Sequence, residues 1–219
     1  MKEKRLLADA ELALSSVVAN NAMNRLRGLA GANSYTRELG FNPVDFLAGR
    51  PSAAWLDLCC GSGNALLQAA GLLPGVRIIG VDLVGYFTPP PHHGVEFVEA
   101  SVTEWEPPYA FDLITCVHGL HYVGDKLGVL AKVASWLTED GRFAADLDLA
   151  SIRRADGSPA GRRLVAALRA EGFGYDGRRR RVGLSGRKQV RSPYTYLGAD
   201  AEAGPNYTGQ PAVMSYYRD

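Results

Sequence analysis

The run WLDLCCGSGNA at residues 55–65 constrains the fold more than any other part of the chain, because it places an apolar stretch directly before Gly61 and Gly63. Such a run is typical of a buried strand that turns through a tight glycine loop into a helix. The run IIGVD at residues 78–82 follows as a second apolar stretch and ends in Asp82. Glycines let the backbone approach a ligand closely, and an acid at this strand end accepts hydrogen bonds from ribose hydroxyls. The two runs therefore predict a site for an adenosine-bearing cofactor.

The kind of cofactor is narrowed by what surrounds the glycines. The dinucleotide fingerprint requires a third glycine where this chain has Leu66, and no phosphate-binding run of the form G-x-x-x-x-G-K-[ST] occurs. Asp57 stands four residues before Gly61. A carboxylate there would repel a pyrophosphate and suit a ligand that carries an amino group. We therefore expect an adenosine ligand with a cationic end.

This pattern resembles the first motif of the class I S-adenosylmethionine (SAM)-dependent methyltransferases, D-x-G-x-G-x-G, with Cys59 in place of the first glycine. The resemblance continues in the same order through Asp82, residues 101–102, residues 111–114 and residues 137–143. It implies an α/β fold with a Rossmann-like, mostly parallel sheet, an N-terminal helical cap and a C-terminal antiparallel hairpin. It also implies SAM as the cofactor and S-adenosylhomocysteine as the product.

The resemblance assigns the cofactor contacts residue by residue. Asp57 would lie near the methionine amino group, and Asp82 would accept hydrogen bonds from the ribose. Gly61 and Gly63 would give the cofactor close access to the backbone. Each acid also has a simpler interpretation, as a turn-capping or solvated side chain at a strand end.

The adenine end departs from the family pattern. Ser101 stands where the family commonly has an Asp that meets the adenine amino group, so its side-chain contact would be weaker. The backbone N–H of Val102 would still meet the ring. Four further residues complete the expected cofactor contacts: Tyr35, Cys59, Leu83 and Cys116.

The predicted catalytic residues lie at the far end of the fourth strand, in residues 116–122, where cofactor and acceptor would meet. A histidine titrates near neutrality and can take a proton from a phenol or an alcohol. We expect His121, ahead of His118, to be the general base, although a histidine packed under the cap would look the same in sequence. Their spacing would also permit a metal site, but no neighbouring carboxylate or thiolate cluster completes one. No metal is therefore predicted.

Apolar periodicity predicts an alternation of strands and helices. The strands are expected at residues 53–59, 76–82, 95–99, 111–117 and 141–148, and the helices at residues 63–70, 125–137 and 159–171. A triple proline within residues 83–94 excludes the usual crossover helix there.

The two ends of the chain are expected to build the acceptor pocket. Residues 3–28 carry a helical spacing, and another short helix begins at Pro43. We divide the chain into a helical cap at residues 1–50 and a methyltransferase domain at residues 51–219. In the cap, Tyr35 would close over the sulfonium or bind the cofactor carboxylate. The tail shows strand patterns at residues 178–184, 195–197 and 213–217, and a polar loop holding Asn206 and Tyr207 that could face the acceptor.

The composition of the chain limits the kinds of partner that we expect it to bind. The chain has 219 residues and a formal net charge of +1, which gives no general attraction to nucleic acid or to an anionic membrane. It has no apolar run long enough for a transmembrane helix. Three cysteines do not make a disulfide framework, so we expect a cytoplasmic protein. The tetra-arginine run at residues 178–181 is interpreted as a solvated edge strand.

The sequence thus predicts a metal-independent enzyme that methylates oxygen or nitrogen of a small molecule, such as a secondary metabolite. It would act as a monomer or homodimer, without nucleic acid or membrane as a partner. Three alternatives stay open: an RNA or protein methyltransferase of the same fold, a NAD-dependent oxidoreductase, and a SAM-binding protein that does not methylate. Leu66 and Asp57 argue against the second of these.

Overall fold

A computed structural model describes residues 5–19, 27–50, 52–89 and 94–219. The strands are β1 (Ala54–Leu58), β2 (Arg77–Asp82), β3 (Val95–Glu99), β4 (Phe111–Cys116), β5 (Leu137–Asp146), β6 (Ile152–Arg154), β7 (Gly174–Asp176), β8 (Arg181–Ser185), β9 (Thr195–Asp200) and β10 (Met214–Arg218). The helices are α1 (Asp9–Ala13), α2 (Tyr35–Leu39), α3 (Pro43–Leu47), α4 (Asn64–Ala70), α5 (Lys126–Trp136) and α6 (Gly161–Ala170), with short 3₁₀ turns at Gly119–His121 and Leu149–Ser151.

Seven strands form the central sheet, in the order β3-β2-β1-β4-β5-β8-β7. The first five are parallel, whereas β8 runs antiparallel to β5 and to β7. From β1 the chain adds β2 and β3 on one side of the sheet and then returns to place β4 on the other side of β1. The connections that follow β1 and β4 therefore lead to opposite sides of the sheet. In open α/β sheets, ligands bind at such a point, outside the carboxyl ends of the strands. The sheet confirms the predicted Rossmann-like fold, and β7 with β8 is the expected closing hairpin.

Both faces of the sheet are covered, which explains why its central strands are continuously apolar. All five residues of β1 are buried. Trp55 and Leu113 belong to the core cluster on one face, with residues of α2, α3 and α4. Leu56 and Ile114 belong to the cluster on the other face, with residues of α5 and α6. Alternate residues of a strand point to opposite faces, so each strand contributes to both cores.

The N-terminal helix differs from its prediction. Within the described residues 5–19, only Asp9–Ala13 is helical, and turns follow. Leu7 instead exchanges backbone hydrogen bonds with Ala199 of β9, at N–O distances of 2.8 and 2.9 Å. This pairing with a distant strand overrides the local helical spacing. The rest of the predicted helix lies partly in residues 1–4 and 20–26, outside the described residues.

The described cap does not have a core of its own. Leu29, Leu39 and Leu47 are buried in the same cluster as Trp55 of β1. Helix α2 begins after Ser34, whose hydroxyl accepts a hydrogen bond from the Arg37 N–H at 3.3 Å. Side chains of the cap and of the sheet thus bury one another.

The connection after β2 and the tail complete the fold. The described residues of the connection, 83–89 and 94, contain no helix, as the proline run predicted; its last two prolines lie outside the described residues. The predicted strand at 178–184 begins late, at Arg181, because residues 177–180 form the turn of the hairpin and Arg180 has a φ of +49°. The arginine run is therefore mostly a turn, and its interpretation as an edge strand is wrong.

Strands β9 and β10 form a second sheet with β6, in the order β6-β10-β9. Lys126, at the start of α5, is fully buried against it. Its ammonium donates to the carbonyls of Val123 and Val213 at 2.8 and 3.0 Å and to the Ser215 hydroxyl at 2.7 Å. Burial lowers the pKa of Lys126 to about 7. Three acceptors satisfy its three donors and fix the small sheet to the main body.

Candidate cofactor and acceptor site

The loop after β1 is shaped by left-handed backbone. Cys59, Gly61 and Gly63 have φ values of +56°, +59° and +77°. This region favours glycine, and Cys59 occupies it at the place where the resembled motif has its first glycine. A Cβ atom on Gly63 would lie 2.2 Å from Cζ of Phe97, so only glycine fits between the loop and β3.

Asp82 ties this loop to the end of β2. Its Oδ2 accepts a hydrogen bond from the Gly61 N–H at 2.9 Å, and its Oδ1 accepts one from the Val84 N–H at 3.0 Å. Burial raises the pKa of the Asp82 carboxyl, and the two N–H groups oppose that shift. Each carboxylate oxygen has a second lone pair, so Asp82 can still accept hydrogen bonds from a ligand.

A cavity opens beside this loop, at the carboxyl ends of β1, β2 and β3. Six of the predicted cofactor residues line it together: Cys59, Gly61, Asp82, Leu83, Ser101 and Val102. The opposite wall comes from α1 and the segment before α5, which the motifs did not indicate: Asp9, Leu12, Ala13, Val18, Tyr122, Val123 and Gly124. Gly63 and Cys116 were also predicted as cofactor residues and do not line the cavity.

Asp57 does not line the cavity. Its side chain is completely buried, and its Oδ2 accepts a hydrogen bond from the Tyr35 hydroxyl at 2.6 Å. Its Oδ1 accepts one from the Thr115 hydroxyl at 2.5 Å, and Thr115 in turn accepts one from Trp55 Nε1 at 2.8 Å. Burial raises the pKa of Asp57 to about 7, although both hydrogen bonds lower it. Two residues predicted as separate cofactor contacts, Tyr35 and Asp57, therefore contact each other and join the cap to the sheet.

Cys116, at the end of β4, contacts the wall residue Cys59. The hydrogen bond between the two thiols, together with burial, raises the pKa of Cys59 well above its ordinary value. A Cβ atom on Gly119 would lie within 2.9 Å of both sulfur atoms. The glycine after His118 thus allows the chain to pass closely over this thiol pair.

His121 is packed rather than exposed to a ligand. It is 1% exposed, and neither ring nitrogen has a hydrogen-bond partner among the described residues. Its ring lies 5.5 Å from that of Tyr207 in an edge-to-face arrangement. Burial lowers the pKa of His121 to about 3, with further contributions from nearby cations that include His118. The imidazole is therefore neutral at physiological pH and resists taking up a proton.

His118 has different surroundings. It follows β4 with a φ of +58°, and its N–H donates to Oδ2 of Asp146 at 3.1 Å. Its Nε2 lies 3.5 Å from Oε2 of Glu38 and 4.0 Å from Oδ2 of Asp146. Glu38 comes from α2 and Asp146 from the end of β5. His118 is half-buried, and non-glycine residues in the left-handed region are common at functional sites.

The expectation that no carboxylates neighbour the histidines is wrong, because Glu38 and Asp146 both lie beside His118. One donor atom each from Glu38, His118 and Asp146 lie within 4.8 Å of one another. Such a group can hold either a hydrogen-bonded proton or a cation. It is the one group of three such side chains found among the described residues.

Charged and aromatic groups surround this cluster. Arg27 Nη1 lies 3.6 Å from Oε1 of Glu38. The Arg180 guanidinium lies over the Tyr207 ring at 4.1 Å and 3.6 Å from Oδ1 of Asp148. Burial, with the charges of Asp146 and Glu38, raises the pKa of Tyr207 to about 12. Tyr207, on the polar loop of the tail, therefore packs against His121.

The sheet order, the glycine loop after β1 and the acid at the end of β2 together define the class I, SAM-dependent type of methyltransferase. A family model described as a methyltransferase domain matches residues 33–181. The chain belongs to this methyltransferase-domain family.

Curated relatives match only part of the chain. Trans-aconitate 2-methyltransferase from Acidovorax sp. (strain JS42) is 30% identical over 95 residues, covering 42% of this chain and 37% of that protein. The enzyme of the same name from Escherichia coli (strain K12 / DH10B) is 29% identical over 94 residues, with the same coverages. The match thus spans well under half the length of these relatives.

Two solved structures are similar at low sequence identity. The N-methyltransferase NodS from Bradyrhizobium japonicum WM9, in complex with S-adenosylhomocysteine, has a TM-score of 0.45 and 16% identity, covering 65% of this chain and 81% of its own. CalS10, an amino pentose methyltransferase from Micromonospora echinaspora in complex with SAM, has a TM-score of 0.40 and 22% identity, covering 47% of each chain.

Proposed function

We propose that this protein binds SAM and transfers its methyl group to oxygen or nitrogen of a small molecule, in the context of secondary metabolism. The observation that carries the proposal is the cavity beside the glycine loop. Six residues that the family resemblance assigned to the cofactor line it together. It lies at the carboxyl ends of the strands, where α/β folds bind nucleotides.

In this proposal the adenosine occupies the cavity. Asp82 accepts hydrogen bonds from the ribose through its remaining lone pairs. Ser101 and Val102 face the adenine, with the Ser101 hydroxyl already sharing a hydrogen bond with Thr103 at 2.8 Å. Asp57 acts on the cofactor only indirectly, because its side chain is completely buried and does not line the cavity. The methyl-bearing end then points past Cys59 toward His118.

We propose His118, rather than His121, as the residue that takes the acceptor's proton. A general base must be able to hold a proton at the operating pH. His121 is buried with a pKa of about 3, so it fails this requirement. His118 is not packed in this way, and its Nε2 lies 3.5 Å from Oε2 of Glu38 and 4.0 Å from Oδ2 of Asp146.

The surroundings of His118 support a small acceptor rather than RNA. Glu38 and Asp146 would repel a phosphate backbone, which is the main attraction in protein–RNA binding. The nearby cations already have partners in the protein: Arg27 lies close to Glu38, Arg180 lies close to Asp148, and Arg181 donates to the Glu38 carbonyl oxygen. The three free cysteines support the proposed location in a reducing cytoplasm. A monomer or a homodimer would serve this function equally.

Calorimetry with SAM and S-adenosylhomocysteine tests the cofactor, and metabolite extracts incubated with methyl-labelled SAM test the transfer. We expect SAM binding and a labelled product of low molecular mass. His118→Asn should reduce the transfer rate by a factor on the order of 10² to 10⁴ without loss of SAM binding. His121→Asn should lower stability and retain most of the rate. Absence of SAM binding, or label found only in RNA or protein, would overturn the proposal.

A further inference from the structure

Helix α2 is held firmly at both ends, although it has only five residues. At its start, the Tyr35 hydroxyl donates to Asp57 at 2.6 Å in the centre of the sheet. At its end, Nη2 of Arg181 on β8 donates to the carbonyl oxygen of Glu38. Gly40 then ends the helix with a φ of +74°. The position of Glu38 is therefore set by residues of β1 and β8.

The Glu38 carboxylate approaches one particular atom of His118. Its Oε2 lies 3.5 Å from Nε2, and Oδ2 of Asp146 lies 4.0 Å from the same nitrogen. An ionised carboxylate only accepts hydrogen bonds, so a nitrogen that faces two carboxylates carries the hydrogen. A neutral imidazole has one protonated and one unprotonated nitrogen. Nδ1 is then the nitrogen with a free lone pair.

We infer that Glu38 is a positioning residue, which holds His118 in the tautomer with its hydrogen on Nε2 so that Nδ1 takes the acceptor's proton. This inference rests on the proposed function and deepens it, because it makes the cap a part of the proton-transfer apparatus. Asp146 fixes the backbone of His118 through its N–H, and Glu38 fixes the ring. Glu38 and His118 can therefore contact each other only when α2 is packed against the sheet.

The proton and electron balance of the transfer is simple. The acceptor O–H or N–H gives its proton to Nδ1 of His118 as the lone pair of oxygen or nitrogen forms a bond to the methyl carbon. The bond from that carbon to sulfur breaks, and its electrons stay on sulfur, which becomes the neutral thioether of S-adenosylhomocysteine. His118 becomes an imidazolium whose charge the carboxylates of Glu38 and Asp146 stabilise. Water later removes the proton.

Other charged groups also face this pair. Arg27 lies 3.6 Å from Glu38 and reduces the negative charge that His118 experiences. The ring of His121 lies 5.6 Å from that of His118 and stays neutral. The Tyr207 ring packs against His121, and the Arg180 guanidinium lies over the same Tyr207 ring. Glu38 is thus the carboxylate nearest to Nε2, so its removal should alter which ring nitrogen of His118 carries the hydrogen.

The test uses the full chain with ¹⁵N-labelled histidine, because nitrogen chemical shifts report the tautomer without an acceptor. His118→Asn identifies the signals of His118. In the wild type we expect the form with hydrogen on Nε2. Glu38→Ala should produce a mixture of tautomers, whereas Glu38→Gln, whose amide oxygen still accepts a hydrogen bond, should keep the wild-type form. Glu139→Ala, an exposed acid on β5, is the control.

The same variants are then compared in methyl transfer, using the labelled product from extracts. Glu38→Ala should reduce the rate by a factor on the order of 10² at saturating SAM, and Glu38→Gln by less, with SAM binding unchanged in both. An unaltered His118 tautomer in Glu38→Ala would overturn the inference while leaving the proposed function in place. Loss of transfer on chelation, restored by Mn²⁺, would also overturn it, because the three side chains would then act as metal ligands. Absence of SAM binding in the wild type would instead overturn the proposed function.

Discussion

The cofactor end and the acceptor end of this site are built in different ways. At the cofactor end, the backbone N–H of Gly61, in the loop after β1, donates to the Asp82 carboxylate at the end of β2. At the acceptor end, side chains from α2, β5 and the turn after β4 converge on His118. The first end depends on how closely the backbone can approach a ligand, and the second on which side chains distant elements deliver. A short motif is therefore enough to predict the methyl donor, whereas the proposed acceptor site depends on contacts between distant elements.

The largest expected effect is a loss of SAM affinity in Asp82→Ala, which tests the cofactor end alone. Loss of two charge-assisted hydrogen bonds to the ribose should cost about 3 kcal/mol, or roughly 100-fold in SAM affinity. The transfer rate at saturating SAM should change little, because Asp82 does not contact the acceptor cluster. Calorimetry measures the affinity, and Asp45→Ala, an exposed acid of α3, serves as the control. An unchanged SAM affinity would remove Asp82 from the cofactor site.

The next comparison uses pH, because burial raises the pKa of Asp57 and lowers the pKa of His121. Asp57 has a pKa of about 7 when folded, above its unfolded value of about 3.9. Between these values the folded state binds more protons, so this group's contribution to stability falls as pH rises. His121 has a folded pKa of about 3, below its unfolded value of about 6.5. The unfolded state binds more protons in that range, so its contribution rises with pH.

Asp57→Asn and His121→Asn should therefore change the pH dependence of unfolding in opposite directions between about pH 4 and 6.5, each by up to about 1.4 kcal/mol per pH unit. Urea unfolding at several pH values in this window measures both. The difference between wild type and Asp57→Asn should decrease with pH, and that between wild type and His121→Asn should increase. Two slopes of the same sign would contradict the burial of one of these groups.

The smallest expected effect concerns the end of α2. Gly40 and Gly49 both have a φ of +74°, but a Cβ atom on Gly40 would lie 2.2 Å from Nη1 of Arg181, whereas Gly49 has open space. Alanine at either position should cost about 1 kcal/mol of backbone strain. Only Gly40→Ala should also displace Arg181 and lower the transfer rate, by roughly fivefold if the shift of Glu38 costs about 1 kcal/mol. Equal methyl-transfer rates in Gly40→Ala and Gly49→Ala would show that the position of α2 does not affect catalysis.

The parts of this structure that were predictable from sequence are those fixed by local patterns. The alternation of strands and helices, the loop at Gly61 and the acid at Asp82 follow from spacing over a few residues. The partners of Asp57 do not, because Tyr35 and Thr115 are brought to it by packing. Glu38 and Asp146 were missed for the same reason, because packing brings α2 and the end of β5 to His118. The preference for His121 ignored burial, which only the fold reveals.

The small sheet has a consequence for the order in which the protein becomes complete during synthesis. Strands β1 to β4 leave the ribosome early, and their neighbours in the sheet lie close in sequence. Leu7 must wait for its partner Ala199, and Lys126 for Val213 and Ser215. A nascent chain can thus bury most of the central sheet while one side stays open and exposes apolar surface. Closure of that side depends on β10, which is translated after every strand of the central sheet, so a chain released before β10 would retain the donor motif with an unfinished wall.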